Sequence, residues 1–211
     1  MTFPHPFPPG LSRRETRFDL EGRSLIVTAA ADLEALLLTD RDIEKPPYWA
    51  VLWPSGVALA AHLKSQRDLV RKVTLELGCG AGLAGIVARL KGARVLQTDL
   101  FPEAAALARW NARRNGVGGI RYLAMDWRHW SLRGRFDLVL AADVLYERAL
   151  HAPLQAILEA NLAPRGEALL ADPGRPLALE FAARLEAAGW ISTMELLPGV
   201  PPCFLYRFRR A

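Results

Sequence analysis

The chain has 211 residues, 51% hydrophobic and 23% charged, with a net charge of +5 and two cysteines. No apolar run reaches the ~18 residues that a membrane helix needs, and two cysteines without ligand spacing exclude both a disulfide framework and a cysteine-built metal site. The basic residues come as scattered singles and pairs such as Arg13-Arg14, Arg113-Arg114 and Arg209-Arg210, which reads as solvated arginine rather than a nucleic-acid patch.

The opening MTFPHPFPPGLSRRETRFDL has no apolar core of the secretory kind, so a reducing, cytoplasmic setting is expected. Residues 1–12 are rich in proline and read as an irregular arm. TRFDLEGRSLIVTAA (16–30) reads as two short strands around Glu21-Gly22, a hairpin. Together these give an N-terminal extension, 1–45, ahead of a main domain, 46–211. SGVALAAHLKS (55–65) reads as a helix with Ser55 as its N-cap.

From residue 73 strands and helices alternate. Strands are expected at 73–78, 93–99, 120–127, 136–143, 166–172, 190–197 and 203–210. Helices are expected at 82–92, 102–116, 147–162 and 176–188. This alternation means a doubly wound α/β sheet, parallel with helices on both faces. The last two strands are joined by PGVPP, too short for a crossover, so they run antiparallel to each other.

Strand after strand ends in an acid: Asp99, Asp126, Asp143 and Asp172. In such sheets ligands bind beyond the carboxyl ends of the strands, so four acids there read as a lined site. LELGCGAGLAG (75–85) follows the first of these strands, with Gly78, Gly80 and Gly82 alternating. Glycines let a backbone turn tightly and approach a ligand closely. Gly80, Gly82 and Gly85 also satisfy a dinucleotide spacing, and Asp99 suits a ribose diol in either a nicotinamide or an adenosyl ligand. Glu76 separates the two, because a carboxylate two residues before the first glycine fits a positively charged cofactor.

With Asp99 and then Asp126-Trp127, LELGCGAGL resembles the glycine loop and later motifs of class I S-adenosylmethionine-dependent methyltransferases. That resemblance implies a Rossmann-like sheet of seven strands with an antiparallel last strand. Asp143-Val144-Leu145-Tyr146 after the fourth strand, with Trp53 upstream, resembles the seven-strand protein-lysine methyltransferases. PPYWAVLWPSGVALAAHL (46–63) and ADPGRP (171–176) are similar to the branch that methylates the β subunit of electron transfer flavoprotein. The likeness covers roughly residues 44–176.

The resemblance implies S-adenosylmethionine as cofactor and a protein lysine as acceptor, on electron transfer flavoprotein β or a ribosomal protein. Gly78, Cys79, Gly80 and Gly82 would line the methionine part, with Trp53 as its wall and Glu76 beneath. Asp99 would take the ribose, Asp126 and Trp127 would flank the adenine, and Ala142 would offer a backbone contact. Asp143 would orient the amine and Tyr146 would wall it; the alternative for Asp143 is a cap on the helix beginning near Glu147. Asp172 reads equally as a substrate-side acid or a turn acid. No metal, no triad and no membrane partner are expected, and a monomer is. The alternatives are a small-amine or RNA methyltransferase, or a silent binder of the adenosyl cofactor. RNA is disfavoured by the lack of an Asn/Asp-Pro-Pro-aromatic tetrad.

Overall fold

A computed structural model describes residues 7, 12–31, 47–66, 69–199 and 201–211. The expected arm over residues 1–12 falls outside these, apart from Phe7 and Ser12; Phe7 is buried in the core. The expected hairpin is present as β1 (Arg13–Leu20) and β2 (Arg23–Ala30), paired antiparallel.

The main sheet has seven strands: β3 (Val73–Leu77), β4 (Arg94–Asp99), β5 (Arg121–Ala124), β6 (Phe136–Ala142), β7 (Leu162–Asp172), β8 (Trp190–Leu197) and β9 (Cys203–Arg210). Their order is β5-β4-β3-β6-β7-β9-β8. β3 through β7 run parallel, and β9 enters antiparallel between β7 and β8. The order reverses direction between β4 and β6, on either side of β3, and this is where an open α/β sheet leaves its crevice.

Among the described residues five helices cover the two faces: α1 (Pro54–Ser65), α2 (Leu83–Leu90), α3 (Pro102–Arg114), α4 (His151–Asn161) and α5 (Pro176–Ala187). Strand residues alternate between them. Leu138 and Leu140 of β6 join Leu59, Ile86 and Leu107 from α1, α2 and α3. Val139 and Ala141 join Leu154, Leu158, Phe181 and Leu185 from α4 and α5. Among the described residues no helix is long and apolar enough to cross a membrane.

Four boundaries depart from expectation, each for a local reason. Ser55 is no N-cap: Trp53 occupies that position without a side-chain bond and Pro54 opens the helix, as proline's fixed φ favours. β5 ends at Ala124 and not at 127, because its partner β4 stops at Asp99, opposite Ala124. The expected helix over 147–162 is a short 3-10 turn (Arg148–Leu150) followed by α4, which places Pro153 in the first turn, where its missing N–H costs nothing. β7 begins at Leu162, four residues early. Its register shifts at Phe136/Leu138, where a Cβ on Gly166 would stand 2.9 Å from the Phe136 carbonyl oxygen.

The hairpin is bound to α3 by side chains that imitate a strand. Asn111 accepts from Thr28 N at 3.0 Å and donates to Thr28 O at 3.0 Å. One helical turn on, Asn115 does the same with Ile26, at 2.8 Å each way. Residues four apart on a helix share a face, and residues two apart on a strand share an edge, so the two spacings match.

Candidate active site

The bend after β3 is forced by two close approaches. Gly82 holds φ 82° and ψ 12° at the cap of α2, and a Cβ there would lie 2.6 Å from Ala108 Cβ and 2.9 Å from its Cα. Only glycine takes both the left-handed backbone and the contact with α3. Gly78, at φ 66°, faces the other way: its missing side chain leaves room for Val144 Cγ1 and Trp127 Cζ2, 3.0 and 3.8 Å from a built Cβ. The tips of β3 and β6 and the turn bearing Trp127 therefore meet at one edge.

Beneath the bend lies a bonded polar layer in which Gln97 Oε1 alone among the side-chain atoms of Glu76, Gln97, Asp99 and Asn111 is buried without a partner. Glu76 Oε2 accepts from Gly85 N at 3.0 Å and Gln97 Nε2 at 2.5 Å, satisfying an otherwise orphaned N–H in the first turn of α2. Burial pushes the Glu76 carboxyl up to about 7, against the pull of those two donors. Gln97 Nε2 also donates to Gly82 O at 2.9 Å, and Asn111 Nδ2 donates to Ala81 O at 2.9 Å. Asp99 accepts from Gly80 N at 3.0 Å through Oδ2 and from Phe101 N at 3.1 Å through Oδ1. Burial raises the Asp99 carboxyl and these amides oppose the rise. The Cys79 thiol, buried beside Asp99 and Glu76, is pushed well up, so it is no nucleophile.

Asp143 stands one residue beyond β6 with φ 58°, a left-handed backbone that costs about 1 kcal/mol or more outside glycine. Its own N–H donates to Ala171 O at 2.9 Å, tying the tip of β6 to that of β7. It caps no helix; the 3-10 turn after it has Glu147 at its cap position, without a side-chain bond. Asp143 is 8% exposed. Oδ1 accepts from Arg175 Nη2 at 2.8 Å, while Oδ2 is buried without a hydrogen-bond partner. Burial raises this carboxyl, opposed by the Ser55 hydroxyl and the Arg175 guanidinium.

Asp172 is the fully buried last residue of β7. Oδ1 accepts from Gly174 N and Arg175 N at 2.9 and 2.8 Å, and Oδ2 from Arg175 Nη1 at 2.8 Å. It is a turn acid and an arginine anchor at once.

An aromatic group lies at the mouth. The rings of Tyr48 and Trp53 sit edge to face at 6.1 Å, and those of Tyr48 and Tyr146 at 6.2 Å. Trp53 Nε1 donates to Tyr48 O at 2.9 Å. Tyr146 is 49% exposed, and its hydroxyl is pushed up by burial and by the nearby charges of Glu147 and Asp99. Ala142 ends β6, paired with Ala171. Asp126 is no strand-end acid: it lies two residues past β5 and caps the 3-10 turn Trp127–His129. Its carboxylate is taken by Arg128, Nε at 2.9 and 3.0 Å and Nη2 at 2.6 Å, which holds it well below the usual range.

The model of a family described as lysine methyltransferase matches residues 36–178, about two-thirds of the chain. The chain belongs to the lysine methyltransferase family. Within it, the electron transfer flavoprotein β-subunit lysine methyltransferases of Rattus norvegicus and Danio rerio are 35% and 38% identical over 133 residues, covering 62% and 61% of this chain and 52% and 51% of theirs. Protein-lysine methyltransferase METTL21E of Mus musculus is 37% identical over 115 residues, 48% of this chain and 47% of its own. The chain thus spans about half the length of these family members.

Among solved structures, the ribosomal protein L11 methylase of Lactobacillus delbrueckii subsp. bulgaricus aligns with TM-score 0.61 at 21% identity, covering 72% of this chain and 77% of that one. The N-methyltransferase NodS of Bradyrhizobium japonicum, bound to S-adenosylhomocysteine, aligns with TM-score 0.61 at 19% identity, covering 82% and 96%. These establish the class I methyltransferase fold.

Sequence reasoning missed four residues of the site: Gln97, Asn111, Arg175 and Ser55 as a neighbour of Asp143. Gln97 was signalled by a polar residue inside VLQTD, and Asn111 by its four-residue spacing from Asn115 on an alanine-rich helix. Arg175 lay in plain view in ADPGRP. Ser55 carried no signal beyond its position; its hydroxyl is buried against Cys203 Sγ at 3.5 Å.

Proposed function

We propose that the chain is an S-adenosylmethionine-dependent N-methyltransferase acting on a protein lysine, with the β subunit of electron transfer flavoprotein as its acceptor. Family membership and the relatives at 35–38% identity support this reading. The observation that carries it is Asp143, with one oxygen buried and unpartnered, next to a residue packed on the glycine bend. The Ser55 hydroxyl acts on this carboxyl from α1 but makes no hydrogen bond to Oδ2 within range, and an incoming amine would supply the donor that this buried oxygen lacks.

The residues fit the donor molecule. The bend at Gly78 and Gly80 is held against Asp99, whose Oδ2 accepts from Gly80 N at 3.0 Å, and it packs too closely for side chains, since a Cβ on Gly80 would stand 3.1 Å from the Trp49 carbonyl oxygen. Gly78, Cys79, Gly80 and Gly82 would hold the methionine part, with Trp53 beside it and Glu76 below. Asp99 would take the ribose hydroxyls, and Trp127 and Asp126 the adenine. Ala142 would add a backbone contact. When bound, the donor supplies a methyl on a positively charged sulfur.

The chain's own part is positioning. A lysine ammonium, of pKa about 10.4, has to shed a proton before its lone pair can attack. Asp143 Oδ2 would receive and aim the nitrogen, Tyr146 and Tyr48 would wall it, and the proton would leave to water. Holding the reacting atoms in line and excluding water is where most of the acceleration arises. Two buried free cysteines support a reducing, cytoplasmic setting, and we assign the working form as a monomer.

The test is incubation of the chain with tritiated S-adenosylmethionine and purified electron transfer flavoprotein β. Label that survives nuclease and maps to a lysine supports the reading. An unlabelled β subunit would overturn the acceptor, and label from a cell extract released only by nuclease would overturn lysine methylation.

A further inference from the structure

Arg175 has no part in the reading above, yet it joins the two acids at the β6 and β7 tips. Its Nη1 is 2.8 Å from Asp172 Oδ2 and its Nη2 is 2.8 Å from Asp143 Oδ1. Its own backbone N–H also donates to Asp172, so the side chain is anchored at its base as well as at its head. Asp172 is itself fully buried, which leaves the guanidinium one place to stand.

We propose that Arg175 is the positioning and specificity-determining residue of the acceptor site, holding Asp143 by Oδ1 so that Oδ2 alone meets the acceptor and a single-headed ammonium is selected over a guanidinium. This rests on the proposed function, since it concerns the acceptor of that same site. A guanidinium binds a carboxylate best as a fork, which needs both oxygens. Arg175 already fills one of them. An ammonium makes its three hydrogen bonds singly and in separate directions, so it can use Oδ2 alone and does not need the fork. Without the arginine, two uncompensated acids would hold the incoming amine more strongly in its charged, unreactive form. The polar groups facing Asp143 are Ser55 from α1, and Arg175 and Asp172 from the end of β7 and the turn after it.

The experiment compares wild type with Arg175→Met and Arg175→Lys. Carbon-detected NMR of the Asp143 carboxyl follows titration with n-butylammonium and n-butylguanidinium. In wild type the ammonium binds the tighter. In Arg175→Met the preference moves toward the guanidinium by about tenfold, as one additional charged hydrogen bond becomes available. Arg175→Lys, which keeps the charge but cannot fork, keeps the ammonium preference.

With electron transfer flavoprotein β as acceptor, Arg175→Met lowers kcat about tenfold with no rise in KM for the protein, and moves the acidic limb of kcat/KM up by about one pH unit. Its affinity for S-adenosylhomocysteine stays within about threefold. An unchanged ammonium-to-guanidinium ratio in Arg175→Met overturns the inference, as does a parallel loss of S-adenosylhomocysteine binding, which marks a merely structural role. A wild type inert toward electron transfer flavoprotein β refutes the acceptor assignment alone, because the NMR titration decides on Arg175 without turnover.

Discussion

The two sides of the candidate site are bonded to different degrees. On the glycine-bend side Glu76, Gln97, Asp99 and Asn111 each bond to backbone or to one another, and Gln97 Oε1 is left over. On the Asp143 side a carboxylate oxygen has no partner, and Tyr146 and Tyr48 present partly exposed rings. Under the proposed function, the side that seats a fixed cofactor gains from a frame that needs little reorganisation, whereas the side that would receive a side chain keeps a polar group in reserve. The difference also explains where the strain sits: the bend takes its left-handed backbone at glycines, while Asp143 takes it without one.

The largest break to the bonded half is Gly82→Val. A left-handed valine clashing with Ala108 should cost about 4 kcal/mol, the sum of backbone strain and overpacking. Urea denaturation reads the loss of stability, and S-adenosylhomocysteine titration should show binding lost with it. Asp143→Asn breaks the other half alone. It should lower kcat about 100-fold, the cost of a misaimed reactant, while S-adenosylhomocysteine affinity stays within about threefold. Turnover at wild-type level would remove Asp143 from its proposed role.

Glu76 sharpens the comparison through pH. Burial pushes its folded carboxyl up to about 7 from an ordinary 4.5, so the fold holds the proton more tightly than the open chain. Its contribution to stability is present below about pH 4.5 and lost as pH rises through about 7. Glu76→Gln should remove that slope, making the variant more stable than wild type by on the order of 2 kcal/mol at pH 8. Chemical denaturation across pH 4.5–8 measures it, and parallel curves would show that Glu76 titrates normally. The smallest expected effect is Asn111→Ala, which orphans Thr28 N, Thr28 O and Ala81 O together. A cost of about 2 kcal/mol is expected, with faster amide exchange in β2 as its signature.

Much of this was legible in the sequence because period and punctuation are local. The strand and helix alternation, the PGVPP reversal, the glycine spacing and Asp99 followed from residues near one another in the chain. What stayed hidden depends on partners far apart in sequence. Asp126 reads as a strand-tip acid until β5 is seen to end where β4 runs out of residues to pair with. Asp143 reads as a lone carboxylate until Arg175, 32 residues on, is found against it. Ser55 reads as a cap until Pro54 is seen to open the helix. Each is set by packing between elements, which period and spacing do not encode.

The central claim is that a bonded glycine bend and an unpartnered Asp143 oxygen line a single cleft. A crystal structure with S-adenosylhomocysteine tests it most directly. The account predicts the ligand's sulfur over Gly78–Gly80, its ribose on Asp99, and Asp143 Oδ2, buried in the ligand-free structure, uncovered toward that sulfur with Arg175 still on Oδ1. A ligand bound away from the bend, or Asp143 Oδ2 turned from it and sealed by protein atoms, would contradict the account.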